Sequence, residues 1–341
     1  MEEKEIINEE ETNLEENKDI QEEENAPVEE ENIEKKLNSA IEITKPQEGD
    51  KPYGEIVEEE RKAIISQNKK STRLSTISIV IVLALSVTGI IFLQSIPVLS
   101  YSLMGGAVAT LIVFSIITHR IARPDVKGYI VKASTAINRY TFADTRFSEV
   151  RYDPNDKIEL GDVFSDGVFE GLVRIASRNV VEGKFENRSF KVCECALFNP
   201  NEGKKQSPAF IGKYLTFSND LHFEGRIVFV IKGEKDYDVP NGLGDLMQVE
   251  NDGHFFAYAP NEEAFKELNS KFIARLKKTE ITGHLLNLTV VLWSGRSIVY
   301  ASYDDETITL PFYEEYKPDT AVQYRKDLVE ILETLQMINK E

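Results

Sequence analysis

Cys193 and Cys195 flank Glu194 in the stretch RSFKVCECALF. Side chains two apart in a strand point to the same side, so the two sulfurs are expected to share one face. That arrangement is the beginning of a zinc site, but a closed tetrahedral site takes about two further ligands. His222, His254 and His284 lie in separate segments with no paired spacing. Cys193 and Cys195 are therefore weak metal candidates, and two packed thiols in a sheet are the expected outcome. A pair this close rarely makes a structural disulfide, which fits a reducing compartment. Each histidine has the chemistry of a general base, yet none stands beside a recognisable nucleophile motif. The chain has no G-x-S-x-G, no phosphate-binding loop, no G-x-G-x-x-G after a strand and no H-E-x-x-H. NGLGDL (Asn241–Leu246) has two glycines but neither a lysine nor a following long helix, so it reads as a turn. No catalytic or cofactor-binding residue is assigned, and no cofactor is expected.

What positions these residues begins with a long apolar run. The 45 residues from Leu74 to Thr118 contain no Asp, Glu, Lys, Arg or His. One crossing of a bilayer takes about 20 residues at 1.5 Å each, so this run is too long for one. Pro97 lacks a backbone N–H, disfavours a helical Ile96 and follows the polar Gln94-Ser95. A break there leaves 74–93 and 99–118, two transmembrane helices of 20 residues each. A pair of buried core helices is the rival reading, but such helices carry a polar stripe and neither segment has one. Lys69, Lys70 and Arg73 precede the first span, Arg120, Arg123 and Lys127 follow the second, and the connector is uncharged. Cations prefer the cytoplasmic side of a span, so both long ends are expected in the cytoplasm. Ser102, Gly106 and Thr110 recur every four residues, a small-xxx-small face suited to close helix packing. Ser78, Val82 and Gly89 of the first span, or a second protomer, could supply the opposing surface. With no ionisable side chain in either span, a transporter or selective channel is disfavoured.

Charge is concentrated at the other end of the chain. Residues 1–60 hold 23 Asp and Glu against 6 Lys, which leaves 61–341 at −1 of the total of −18. The segment 1–53 has too few apolar residues to offset its ordering entropy and reads as a disordered acidic tail. Its sign argues against nucleic-acid binding, because phosphates would repel it. Residues 54–73 read as a juxtamembrane helix continuous with the first span, supported by Glu58 and Lys62 four apart. Residues 124–148 read as a helical linker.

From 150 to 341 the pattern is that of a cytosolic α+β domain. Candidate strands are Val168–Ala176, Arg188–Phe198, Tyr214–Phe217, Phe223–Ile231, Phe255–Tyr258, Leu285–Trp293, Ser297–Tyr303 and Glu306–Leu310. LLNLTVVLWSGRSIVYASY places Ser294-Gly295 between two β-rich runs, the signature of an antiparallel hairpin. One helix follows Pro260, with Asn261 as N-cap, Glu262 and Glu263 at its positive end and Lys277 and Lys278 at its negative end. Another runs from about Asp319 to Asn339. Gly171 and Gly225 each close a Phe-Glu-Gly triplet, a repeat attributed to chance or to shared turn chemistry.

The order of these pieces, together with HFEGRIVFVIK, MQVENDGHFFAYAPNEEAFKEL and LNLTVVLWSGRSIVYASY, resembles an uncharacterised bacterial membrane-protein family, domain of unknown function 3137. The similarity covers roughly residues 74–310 and is strongest from Leu221 to Leu310. It implies a bacterial inner-membrane protein with a cytosolic α+β domain, and it carries over no catalytic residue. The expected function is a non-enzymatic, membrane-anchored interaction or scaffolding module. Its expected partners are the lipid bilayer and a protein or a second copy of itself. The alternatives are an enzyme with an unfamiliar site drawn from His222, His254 and Cys193, and a small oligomeric channel.

Overall fold

A computed structural model describes residues 40–117, 125–200, 208–233, 239–279, 281, 285–303, 310 and 314–339. The first long element, helix α1 (Tyr53–Phe92), is 40 residues long and runs without a break from the charged juxtamembrane stretch through the first apolar segment. It is followed by the turn Leu93–Ser95 and by α2 (Pro97–Ile117), which Pro97 opens. Proline suits the first turn of a helix because the N–H it lacks would have no partner there. Both helices are long and apolar enough to cross a bilayer, and 11% of the apolar window in each is buried. Core helices of that composition would be mostly covered. Here Ile79, Val80, Leu83, Ile90, Ile91 and Val98 stand more than half exposed.

The rest is an α+β domain built on one ten-stranded sheet. Its strands are β1 (Ile41–Glu42), β2 (Phe147–Asp153), β3 (Arg174–Phe185), β4 (Arg188–Phe198), β5 (Pro208–Ser218), β6 (Ile227–Lys232), β7 (Met247–Asn251), β8 (Phe255–Ala259), β9 (Leu285–Trp293) and β10 (Arg296–Tyr303). Their spatial order is β1-β2-β3-β4-β5-β10-β9-β6-β8-β7, with every neighbouring pair antiparallel. The hairpin read from the sequence, β9–β10, therefore lies in the middle of the sheet, between β5 and β6. Gly295 takes φ +77° in its turn, and Gly171 and Gly225 both take positive φ, which agrees with turn chemistry as the basis of their triplets. At Gly225 a side chain would also meet Pro260 at 3.0 Å.

Alternation sorts the central strands into two faces. Leu215, Phe217, Val290, Leu292, Val299 and Ala301 point to one, where Phe272 and Leu276 of α6 (Ser270–Lys277) and Leu328, Leu332 and Leu335 of α7 (Pro318–Gln336) cover them. Tyr214, Val228, Val291, Ile298 and Tyr300 point to the other, beneath Val163 of α4 (Leu160–Asp166) and Val168, Phe169 and Leu172 after it. A third cluster joins α1 to the domain. In it Val57 and Ile64 pack on Tyr129, Ala133 and Ala136 of α3 (Val126–Thr141) and on Tyr316.

Several boundaries differ from expectation. Residues 40–53 do not belong to a disordered tail: Ile41 and Glu42 pair with Tyr152 and Arg151, and Ile43 is buried. Residues 1–39 lie outside the described residues. The linker helix stops at Thr141, and Phe147–Asp153 is a strand whose Phe147, Val150 and Tyr152 enter the core. The first strand after it begins at Arg174, not Val168. The helix after Pro260 is broken into α5 (Glu262–Lys266) and α6, because Asn269 caps the second piece by accepting from Lys271 N. The Asn241–Leu246 turn includes a short 3-10 helix over Asn241–Leu243. The proposed strand Glu306–Leu310 and the flanking Arg120 and Arg123 fall outside the described residues, apart from Leu310.

Candidate functional site

Alternation along β4 decides the fate of its chemistry-bearing residues. Cys193 and Cys195 share a face as expected and are buried there among Val180, Leu197, Tyr214 and Tyr300. Both are free thiols, and burial pushes Cys193 up to about 12 and Cys195 well above its usual range. Among the described residues no group of three or more His, Cys, Asp and Glu is placed to hold a metal. His222 is exposed between β5 and β6. His254 is exposed in the β7–β8 turn, with Nε2 3.4 Å from Thr279 O. No hydrogen bond joins Cys193, His222 and His254 among the described residues, and His284 lies outside them.

Glu194, between the two thiols, points to the opposite face, under α3 and α7. Its side chain is 11% exposed. Oε1 accepts from Lys213 Nζ at 2.8 Å, while Oε2 accepts from Arg178 Nε at 2.7 Å and from Asn179 Nδ2 at 3.0 Å. A β-bulge brings these donors together. Between Arg178 and Val181 the β3–β4 register shifts, and Asn179 takes φ +55°, so its side chain turns toward Glu194 and also accepts from Tyr152 Oη at 2.9 Å. Burial acts to raise the Glu194 carboxyl, but Lys213 and Arg178 outweigh it and hold the group below its usual value. The Lys213 ammonium sits 4.8 Å from the ring centre of Tyr324 on α7, in the range of a cation–π contact. Above this cluster is a cavity of about 70 Å³ lined by Ser134, Asn138, Tyr316 and Thr320 among others. That space suits about two water molecules and is far below the ~300 Å³ at which small-molecule pockets begin.

A second buried cluster lies on the other face. Asp166, the last residue of α4, is fully buried, and its carboxylate accepts from Tyr300 Oη at 2.7 Å, Tyr214 Oη at 2.9 Å and Arg296 Nη2 at 2.8 Å. Burial raises its pKa to about 6, against the opposing pull of Tyr300, Arg296 and Tyr214. Next to it, Arg226 Nη2 donates to the carbonyls of Gly167 and Gly242 and to Asp245. These contacts fasten the segments around α4 and Asn241–Leu243 onto the sheet.

The charges in both clusters are met by partners from the chain itself. Comparison with family models, with curated proteins and with solved structures returned no match. The geometry therefore stands alone, and it reads as two joints: Glu194 ties strands β3–β5 together beneath α7, and Asp166 ties α4 to β5 and β10.

In the apolar helices, the packing face differs in part from the expected stripe. Gly106 and Thr110 are half-buried, with Gly106 facing Leu85 of α1, but Ser102 is exposed and its hydroxyl is satisfied by Val98 O at 2.9 Å. The close approach is one residue row away, where Ser100 Oγ donates to Gly89 O at 2.6 Å. A side chain at Gly89 would meet Met104 at 3.2 Å and Ser100 O at 3.3 Å. Ser78 and Gly89 are buried and Val82 half-buried, so α1 supplies the opposing surface within one chain.

Glu194, Lys213, Arg178 and Asp166 carry no motif that marks them in the sequence. The available signal was an ionisable residue in the interior of an apolar alternating run: Glu194 in VCECALF and Lys213 in FIGKYLTF.

Proposed function

We propose that this chain is a membrane-anchored, non-enzymatic module whose α+β domain holds a protein partner or a second copy of itself at the cytoplasmic face of a bacterial inner membrane. In this reading α1 and α2 form the hairpin in the bilayer, with both termini inside. The order of its pieces, similar to that of domain of unknown function 3137, agrees with it. The observation that carries the reading is the continuity of α1, whose apolar half exposes its side chains and whose juxtamembrane half is packed into the domain. Tyr53 Oη donates to Pro318 O at 2.8 Å, Tyr316 N donates to Glu58, and Lys132 pairs with Glu60 at 3.1 Å. A domain fixed to its anchor at several points presents its surfaces at a set height and orientation, which suits scaffolding.

Among the described residues, two of the open surfaces suit such contact. One is the outward side of β7, at the end of the sheet, where Met247 is 45% exposed. The other is a groove of about 410 Å³ beside α7, where Val322 is 46% exposed near Tyr140, Arg325 and Val329. The test places a photo-crosslinking residue at Met247 or at Val322 in the full-length chain in its membrane. A discrete adduct is expected from at least one position, either at twice the chain's mass or with a partner of defined size. Uncrosslinked monomer from both positions would overturn the proposal.

A further inference from the structure

The juxtamembrane half of α1 separates its charges along its length. Toward the domain, cations are matched by carboxylates: Arg61 and Lys62 pair with Glu58 at 2.6 and 3.5 Å, Lys51 with Glu59 at 2.7 Å, and Lys132 of α3 with Glu60 at 3.1 Å. Glu60 is the last carboxylate before the apolar run. Beyond it come Lys69, Lys70 and Arg73, all exposed and with no ion pair among the described residues. At 100° per residue these three fall within an arc of about 100° on one side of the helix. Gln67 Oε1 accepts from Asp125 N at 3.3 Å, which sets the first turn of α3 beside α1 about 10 Å before Leu74, on the domain side of these cations. Asp125, a carboxylate on that turn, uses Oδ1 to accept from Gly128 N at 2.9 Å as the N-cap of α3.

Height matters as much as charge. At 1.5 Å per residue, Arg73, Lys70 and Lys69 lie about 2, 6 and 8 Å before Leu74, within the headgroup layer of about 5–8 Å that borders the hydrocarbon. We infer that Lys69, Lys70 and Arg73 form a collar that binds the phosphates of anionic phospholipids. This rests on the reading of α1 and α2 as a membrane hairpin. The collar faces the inner-leaflet headgroups and selects lipids bearing net negative charge over zwitterionic ones. The carboxylate-matched cations nearer the domain take no part.

The test uses the full-length chain reconstituted in vesicles of phosphatidylcholine with about one-fifth phosphatidylglycerol, extracted with mild detergent, and assayed for the headgroups it retains. Phosphatidylglycerol is expected to be enriched about fivefold or more over the bulk ratio, since each cation at a membrane surface is worth about that factor. Enrichment should fall steeply as salt is raised. The variant K69Q/K70Q/R73Q should return to the bulk ratio. A wild-type chain retaining lipids at the bulk ratio, or an enrichment unmoved by salt, would overturn the collar, and neither result depends on the variant folding. If the wild-type chain is released from vesicles by alkaline carbonate, the membrane reading fails and the collar fails with it. A chain that resists release yet shows no enrichment refutes the collar alone.

Discussion

Glu194→Ala is expected to lower the unfolding free energy by about 3–5 kcal/mol, the usual cost of leaving one member of a buried ion pair without its counter-charge. The stranded group is Lys213, whose side chain is 13% exposed, whereas Arg178 is 52% exposed and can turn to solvent. Replacing both ends, as Glu194→Met with Lys213→Met, should recover most of the loss, because an apolar pair of similar volume removes the desolvation penalty along with the attraction. Denaturant unfolding of the detergent-solubilised chain, followed by circular dichroism, measures both variants. The joint also has a pH signature. The folded-state value of Glu194 lies below its ordinary 4.5, so its stabilisation is present above that pH and is lost as pH falls through the lower folded value. A single variant as stable as wild type would contradict the assigned role, as would a double variant worse than the single.

Asp166 is expected to behave in the opposite sense. Its pKa is raised from 3.8 to about 6, so the native state holds a proton that the unfolded chain has released. Its contribution is full below pH 3.8 and is lost as pH rises through about 6, a difference on the order of 3 kcal/mol. Asp166→Asn keeps an acceptor for the tyrosine hydroxyls and removes the buried charge. It should match or exceed wild-type stability at neutral pH and abolish the loss between pH 4 and 6. Asp166→Ala instead leaves the hydroxyls of Tyr214 and Tyr300 buried without their acceptor, and a cost of about 2–4 kcal/mol follows. Comparing the unfolding midpoints of the two variants across this pH range tests the assignment. An Asp166→Asn protein that retains the wild-type pH dependence would show that another group is responsible.

What the sequence made legible was whatever obeyed a local rule. Pro97 marks the break between α1 and α2, Ser294-Gly295 marks the β9–β10 turn, and Asn261 caps a helix by accepting from Ala264 N, each with a short-range physical cause. The strand β2 escaped because Ala143 to Arg146 carry no proline or glycine to announce the end of α3. Its alternation is also broken by a register shift between Ser148 and Arg151, where Glu149 takes φ +54°. The Glu194 cluster was hidden for a related reason. Its members come from three strands, and the Asn179 bulge that aims them is not encoded by any spacing visible along the chain. The thiols on either side of Glu194 stand out by residue type, while the buried charge between them holds the more demanding environment. Small-xxx-small spacing located the right helix but not the right row, because Ser100 and Gly89 settle the approach through a hydrogen bond that spacing does not report.

Cysteine accessibility in intact cells tests the central reading most directly. Cys193 and Cys195 are 1% and 4% exposed, so the native thiols give little background to a membrane-impermeant maleimide. Gln94→Cys, in the exposed connector between α1 and α2, should label from outside the membrane, and Glu48→Cys, in the exposed segment before α1, should label after permeabilisation alone. Labelling of position 48 from outside, or recovery of the chain in the supernatant of detergent-free lysates, would contradict a hairpin that leaves both ends of this protein in the cytoplasm.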